Sequence, residues 1–228
     1  LDEDRLQPDR GCQTSRRDLS LAALSHRTAG HRRVSRLADG APAMPAGGWL
    51  DEALHIVSPN RDPRPPGEVV SLIVIHAISL PPAGFGGDGI VRLFTNRLDP
   101  AAHPYFAQII GLRVSAHFLI RRDGELIQFV SCRERAWHAG LSAWKGRRGC
   151  NDFSLGIELE GCDELPFEGA QYASLLALVG RLCAGYPIDA VVGHNDISPG
   201  RKTDPGPCFD WRRLASIGEL PGDLPRRR

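Results

Sequence analysis

Two histidines and an aspartate stand where apolar runs give way to loops. His76 follows Leu72-Ile73-Val74-Ile75, and His194 follows Ala190-Val191-Val192-Gly193. Asp204 lies in Lys202-Thr203-Asp204-Pro205-Gly206-Pro207. Two neutral imidazoles and a carboxylate on rigid strand ends suit Zn²⁺, and three protein ligands leave a fourth position for water, as in a catalytic centre. Spacing alone does not pair these residues. His76 and His194 are 118 residues apart, there is no H-E-x-x-H, and Asp204 before a proline could equally open a turn. His103, His117 and His138 compete as ligands.

Glu158 adds an acid to this set. In Gly156-Ile157-Glu158-Leu159-Glu160, alternation turns Glu158 and Glu160 to one face and Ile157 and Leu159 to the other. A carboxylate in so apolar a strand implies that its face is either solvated or functional. Beside an activated water it would serve as general base. Lys202 stands out by composition: only two of the 28 basic residues are lysines, Lys145 and Lys202.

The elements that must position these groups follow from hydrophobic patterning. Residues 69–75 read as a buried β-branched strand ending at His76, followed by a Pro- and Gly-rich loop. Short helices are expected over 90–98 and 100–110, divided at Asp99-Pro100. A hairpin is expected over 116–120 and 125–130, with Asp123-Gly124 in its turn. Residues 155–160 form a strand, 169–185 an amphipathic helix stopped by Gly185 and Pro187, 188–193 a short strand, and 209–217 a last helix. Mixed without strict alternation, these elements predict an α/β domain on one central mixed β-sheet flanked by helices.

The 228 residues carry a net charge of +1, which gives no general attraction to nucleic acid or to an anionic membrane. No apolar run reaches the roughly 18 residues of a membrane span. The six cysteines form no C-x-x-C pair, and the acidic start Asp2-Glu3-Asp4 is unlike a secretory signal. Free thiols and a cytoplasmic location are therefore expected. Residues 1–43 hold eight arginines and six acids without periodic apolar residues, and read as a disordered extension. Met44 precedes the first patterned sequence and is a candidate translation start, leaving residues 44–228 as the domain.

Five stretches together carry a family resemblance: Ile75-His76-Ala77-Ile78-Ser79-Leu80-Pro81-Pro82, Leu112-Arg113-Val114-Ser115-Ala116-His117, Arg135-Ala136-Trp137-His138-Ala139-Gly140, residues 150–161 (CNDFSLGIELEG), and Arg201-Lys202-Thr203-Asp204-Pro205-Gly206-Pro207. In order and spacing over about residues 50–214, the chain resembles the 1,6-anhydro-N-acetylmuramyl-L-alanine amidases of the amidase-2 family, which share the fold of peptidoglycan recognition proteins. The resemblance implies that His76, His194 and Asp204 bind Zn²⁺, that Glu158 is the catalytic acid/base, and that Lys202 stabilises the transition state. It also implies substrate contacts from Arg113, Trp137 and His138. Two positions depart from the pattern: Ala77 stands where close relatives have Asn, and Gly149 where they have Arg, with Arg148 alongside as a substitute.

The resulting expectation is a monomeric zinc amidase. It would hydrolyse the lactyl-L-alanine amide of small muropeptides in cell-wall recycling, without nucleic-acid or membrane partners. Two other classes remain open at this stage. A non-catalytic peptidoglycan-binding module on the same fold predicts loss of a zinc ligand. A nucleic-acid-binding protein would use residues 1–43, although that arm also holds six acids and lacks aromatic residues for base stacking.

Overall fold

The computed structural model describes residues 44–215. The expected extension over residues 1–43 and the last two residues of the expected 209–217 helix lie outside the described residues.

In chain order the elements are β1 (Leu54–His55), β2 (Arg61–Pro63), β3 (Leu72–Ile78), α1 (Gly89–Phe94), α2 (Pro104–Gln108), β4 (Phe118–Ile120), β5 (Leu126–Gln128), β6 (Glu134–Ala136), β7 (Ala143–Trp144), β8 (Arg147–Arg148), β9 (Ser154–Glu160), α3 (Gly169–Gly185), β10 (Ala190–Gly193), α4 (His194–Ile197) and α5 (Trp211–Leu214). A six-stranded sheet runs β1-β5-β4-β9-β3-β10. Only the β4–β5 hairpin is antiparallel; the other pairings are parallel. This is the expected mixed sheet. β3 and β9 lie at its centre, covered on both faces, which explains their near-continuous apolar sequences.

The period of two divides the side chains between the faces. Ile73, Ile75, Phe118, Ile120, Leu155, Ile157, Leu159 and Val191 pack on the face covered by α3, which contributes Tyr172, Leu175, Leu178, Val179 and Leu182. A fully buried Leu of this kind is worth about 1.5–3 kcal/mol relative to exposure. The opposite face carries two smaller clusters. One gathers Leu93, Phe94, Phe106 and Ile109 against Leu119 and Phe129. The other joins Leu72, Val74, Ala190 and Val192 to Phe153 and Ile197. His76, Glu158 and Glu160 alternate onto this second face, away from α3.

Helix 169–185 is found with the expected bounds. Gln171 locks its start: its Oε1 accepts from the Glu168 N–H at 3.0 Å, and its Nε2 donates to Glu160 O at 3.0 Å. Other boundaries shift for local reasons. β3 begins at Leu72, since Val69 is 56% exposed, and runs past His76 to Ile78, which pairs with Glu160. The expected helices 90–98 and 100–110 shrink to α1 and α2. α2 starts only at Pro104, where the His103 ring accepts from the Tyr105 N–H at 3.1 Å. The hairpin turn is as expected, with Gly124 at φ +89° donating to Arg121 O. The strands β1, β2, β6, β7 and β8 were not expected. β7 and β8 are joined by Lys145 and Gly146, both at positive φ, the signature of a tight hairpin turn.

Cys132, Cys150, Cys162 and Cys183 are free thiols, as expected. No helix among the described residues is long and apolar enough to cross a membrane.

Candidate active site

Three neighbouring parallel strands, β9, β3 and the edge strand β10, build the site. β3 carries His76 directly opposite Glu158 of β9, and β10 ends at Gly193, so the next residue, His194, opens α4 beside them. Asp204 arrives on the following loop, its carbonyl accepting from the Asn195 N–H at 3.0 Å. His76 Nδ1 lies 3.0 Å from His194 Nδ1, and Asp204 Oδ2 lies 3.1 Å from each. All three residues are buried.

The outer nitrogens say what those inner atoms are. His194 Nε2 is 3.3 Å from the carbonyl of Ala139, to which it can only donate, so its Nδ1 carries a lone pair in the neutral ring. Burial, with His194 nearby, lowers His76 to about 4, keeping that ring neutral at ordinary pH. Two imidazole nitrogens and a carboxylate oxygen thus converge in a buried place where they repel unless they share a cation. Ligand atoms around a tetrahedral zinc with bonds of 2.0–2.1 Å are about 3.3 Å apart, close to the spacing here. The donor set and its geometry fit a small divalent metal.

Glu158 faces this cluster. Its Oε2 is buried and has no hydrogen-bond partner. Burial, with the Asp204 carboxylate nearby, pushes its carboxyl well above the usual carboxylate range, and Lys202 acts in the opposite sense. Glu160 differs despite sharing the face: its Oε1 accepts from the Gly86 N–H at 2.7 Å and from Arg121, so it fastens the Gly-rich loop.

A cavity of about 190 Å³ joins these groups. His76, His194, Asp204, Glu158 and Lys202 line its polar end, and Leu93, Phe94, Leu112 and Val114 its apolar side. Trp137 lines it as well, its backbone tied to Ser115 in both directions.

The remaining expected residues divide between the cavity and the surface. His138 borders the cavity, but both ring nitrogens are engaged by protein groups, Nδ1 at 2.9 Å from His76 Nε2 and Nε2 at 3.2 Å from Ser154 Oγ. Arg113 is exposed between the cavity-lining Leu112 and Val114, and its guanidinium donates to nearby carbonyls at 3.3–3.4 Å. Arg148 is exposed on β8 and does not line the cavity, and Gly149 beside it adopts φ +71°. Of the competing ligands, His103 caps α2, while His117 accepts from the Gly156 N–H at 3.0 Å and donates to Glu134 O at 3.1 Å.

Sequence reasoning missed Arg201, which lines the cavity and donates to Ala139 O, Leu141 O and Ser198 Oγ at 2.8–3.1 Å. It also missed Ser154, although a Ser four residues before Glu158 on the same strand face was a readable signal.

A buried carboxylate oxygen without a partner, beside a cluster able to hold a cation and in a cavity with an apolar wall, has the make-up of a hydrolase centre. Residues 66–207 match the family model described as N-acetylmuramoyl-L-alanine amidase. The chain belongs to this family, among the AmpD-type 1,6-anhydro-N-acetylmuramyl-L-alanine amidases. It is 56% identical over 179 residues to 1,6-anhydro-N-acetylmuramyl-L-alanine amidase AmpD of Salmonella typhimurium, covering 78% of this chain and 96% of that protein. The AmpD of Escherichia coli K12 is 56% identical over 169 residues, covering 73% and 92%. A crystal structure of a selenomethionine AmpD derivative superposes with a TM-score of 0.73 at 56% identity, covering 75% of this chain and 96% of that one.

Proposed function

We propose that the protein is a zinc-dependent amidase that cleaves the amide between the lactyl group of a 1,6-anhydro-muramyl sugar and L-alanine of a peptide stem. The observation that carries this reading is the unpartnered, buried Oε2 of Glu158 in the same cavity as His76, His194 and Asp204. The names of the relatives supply the bond and the sugar.

In this mechanism His76 Nδ1, His194 Nδ1 and Asp204 Oδ2 would hold the metal. Zinc, when bound, supplies Lewis-acid polarisation of the scissile carbonyl and an acidified water. Glu158 takes a proton from the attacking water through Oε2 and passes it to the departing alanine nitrogen, a transfer suited to a carboxyl whose affinity for protons is raised. Lys202, across the same cavity, sets its ammonium against the oxyanion. Trp137 and the apolar wall receive the sugar or the methyl groups flanking the amide. Arg113 and Arg148, both exposed, are left to contact only the outer parts of a substrate.

The proposal includes a cytoplasmic monomer acting on small turnover fragments, with residues 44–228 as the amidase domain. Met44 supports that boundary: it packs against the main core, and a Cβ on Gly185 would meet its Cγ at 2.0 Å. The test is to incubate the purified protein with anhydro-muropeptide and with intact peptidoglycan, identify products by mass, and assay bound metal. The expected result is free peptide with an N-terminal alanine from the anhydro-muropeptide and one zinc per chain. No cleavage of either substrate by metal-loaded protein would overturn the proposal.

A further inference from the structure

Behind His76 runs a chain of hydrogen bonds whose direction is fixed from its far end. The carbonyl of Cys150 can only accept, so Ser154 Oγ, 2.6 Å away, donates to it. With its one proton committed, Ser154 Oγ accepts from His138 Nε2 at 3.2 Å. The neutral His138 ring then bears a lone pair on Nδ1, which accepts from His76 Nε2 at 2.9 Å. That leaves His76 Nδ1 without a proton and aimed at His194 and Asp204.

The surroundings are built for this ring. A Cβ on Gly156, in mid-strand, would lie 2.5 Å from the His138 ring, so only glycine leaves it room. Asn151 Oδ1 accepts from the His138 N–H at 3.1 Å and from the Ala139 N–H at 2.8 Å. The dipeptide that Asn151 clamps thus presents one acceptor to each histidine of the cluster: the His138 ring to His76, and Ala139 O to His194. Ser154 is fully buried and His138 is 9% exposed, so water does not compete for these bonds.

We infer that His138, directed by Ser154, is a positioning residue that fixes the tautomer and orientation of His76 for metal binding, rather than a residue that touches substrate. The inference rests on the reading of His76, His194 and Asp204 as zinc ligands. Outer partners of this kind typically account for 10–100-fold in metal affinity.

The test uses the full chain and its His138→Leu, His138→Gln and Ser154→Ala variants. Zinc affinity is measured by competition with a chromophoric chelator, the unfolding midpoint on the metal-free proteins, and the ring tautomer by long-range proton–nitrogen NMR correlation. The expected results are a proton on His138 Nε2 in the parent and a zinc Kd raised about 10–100-fold by His138→Leu. His138→Gln, whose Oε1 can still accept from His76, should recover most of that loss, and Ser154→Ala should weaken zinc in the same direction by less. A proton on His138 Nδ1, or a Kd within twofold of the parent in His138→Leu, overturns the inference. So does a variant that lowers the unfolding midpoint without moving the Kd. If His138→Leu does not fold, Ser154→Ala decides, and an unchanged tautomer and Kd overturn it. A parent that takes up no zinc defeats the ligand reading and this one together. A parent that binds zinc tightly beside unaffected variants defeats this one alone.

Discussion

Glu158 and Glu160 stand two residues apart on one face of β9, yet only Glu158 keeps an oxygen free for chemistry. Removing that oxygen's basicity in Glu158→Gln should leave zinc binding intact and lower kcat/KM by about 10²–10⁴-fold, as measured by steady-state hydrolysis and metal analysis. Lys202→Met should lower kcat by about 10²–10³-fold with KM little changed, since the charge that Lys202 is proposed to meet develops only in the transition state. His117 makes a prediction about pH. Burial, with Arg64 beside it, lowers this ring from 6.5 to about 3. The unfolded chain takes up that proton near pH 6.5 and the folded chain only near 3. The ring's contribution to stability is therefore complete above about pH 6.5 and is lost as pH falls through that window. Urea unfolding of metal-free protein across this range should give a falling midpoint, and His117→Gln should flatten the slope.

At the scale of elements, α3 packs its apolar side chains on one face of the sheet, and the candidate site lies on the opposite one. Leu175 is fully buried in that contact, and Leu175→Ala should destabilise the protein by about 2–5 kcal/mol, read from denaturant unfolding. Where such elements were periodic, the sequence made them readable: the spacing of Tyr172, Leu175, Val179 and Leu182 marks the helix, and Ile157 and Leu159 mark the buried face of β9. The run before His76 and the run before His194 marked two strands, although nothing local showed that both lie in register in one sheet. Strands of two or three residues, such as β7 and β8, are too short to carry a period. The inward turn of His138 was equally hidden, because it depends on Gly156 and Ser154 of a strand that reaches it only in the folded chain. Arg113 and Arg148 show the converse, since a charged residue within a matching stretch says nothing of which way it points.

For the molecule as a whole, the seat of Met44 against Gly185 makes a prediction about domain extent. The polypeptide 44–228 should keep the unfolding midpoint and the hydrolytic rate of the full chain within about twofold, and trimming past Met44 should lower the midpoint, because a partly buried contact with the main core is lost. His76 lies on a strand made early, while His194 and Asp204 come 118 and 128 residues later. During synthesis the first proposed ligand therefore emerges long before its partners exist, and no nascent chain that stops short of residue 204 can offer all three groups to an ion. Metal capture by the proposed ligand set therefore has to wait for β10 to join β3 at the sheet edge, so a product that stops before Asp204 is released without a complete three-ligand centre.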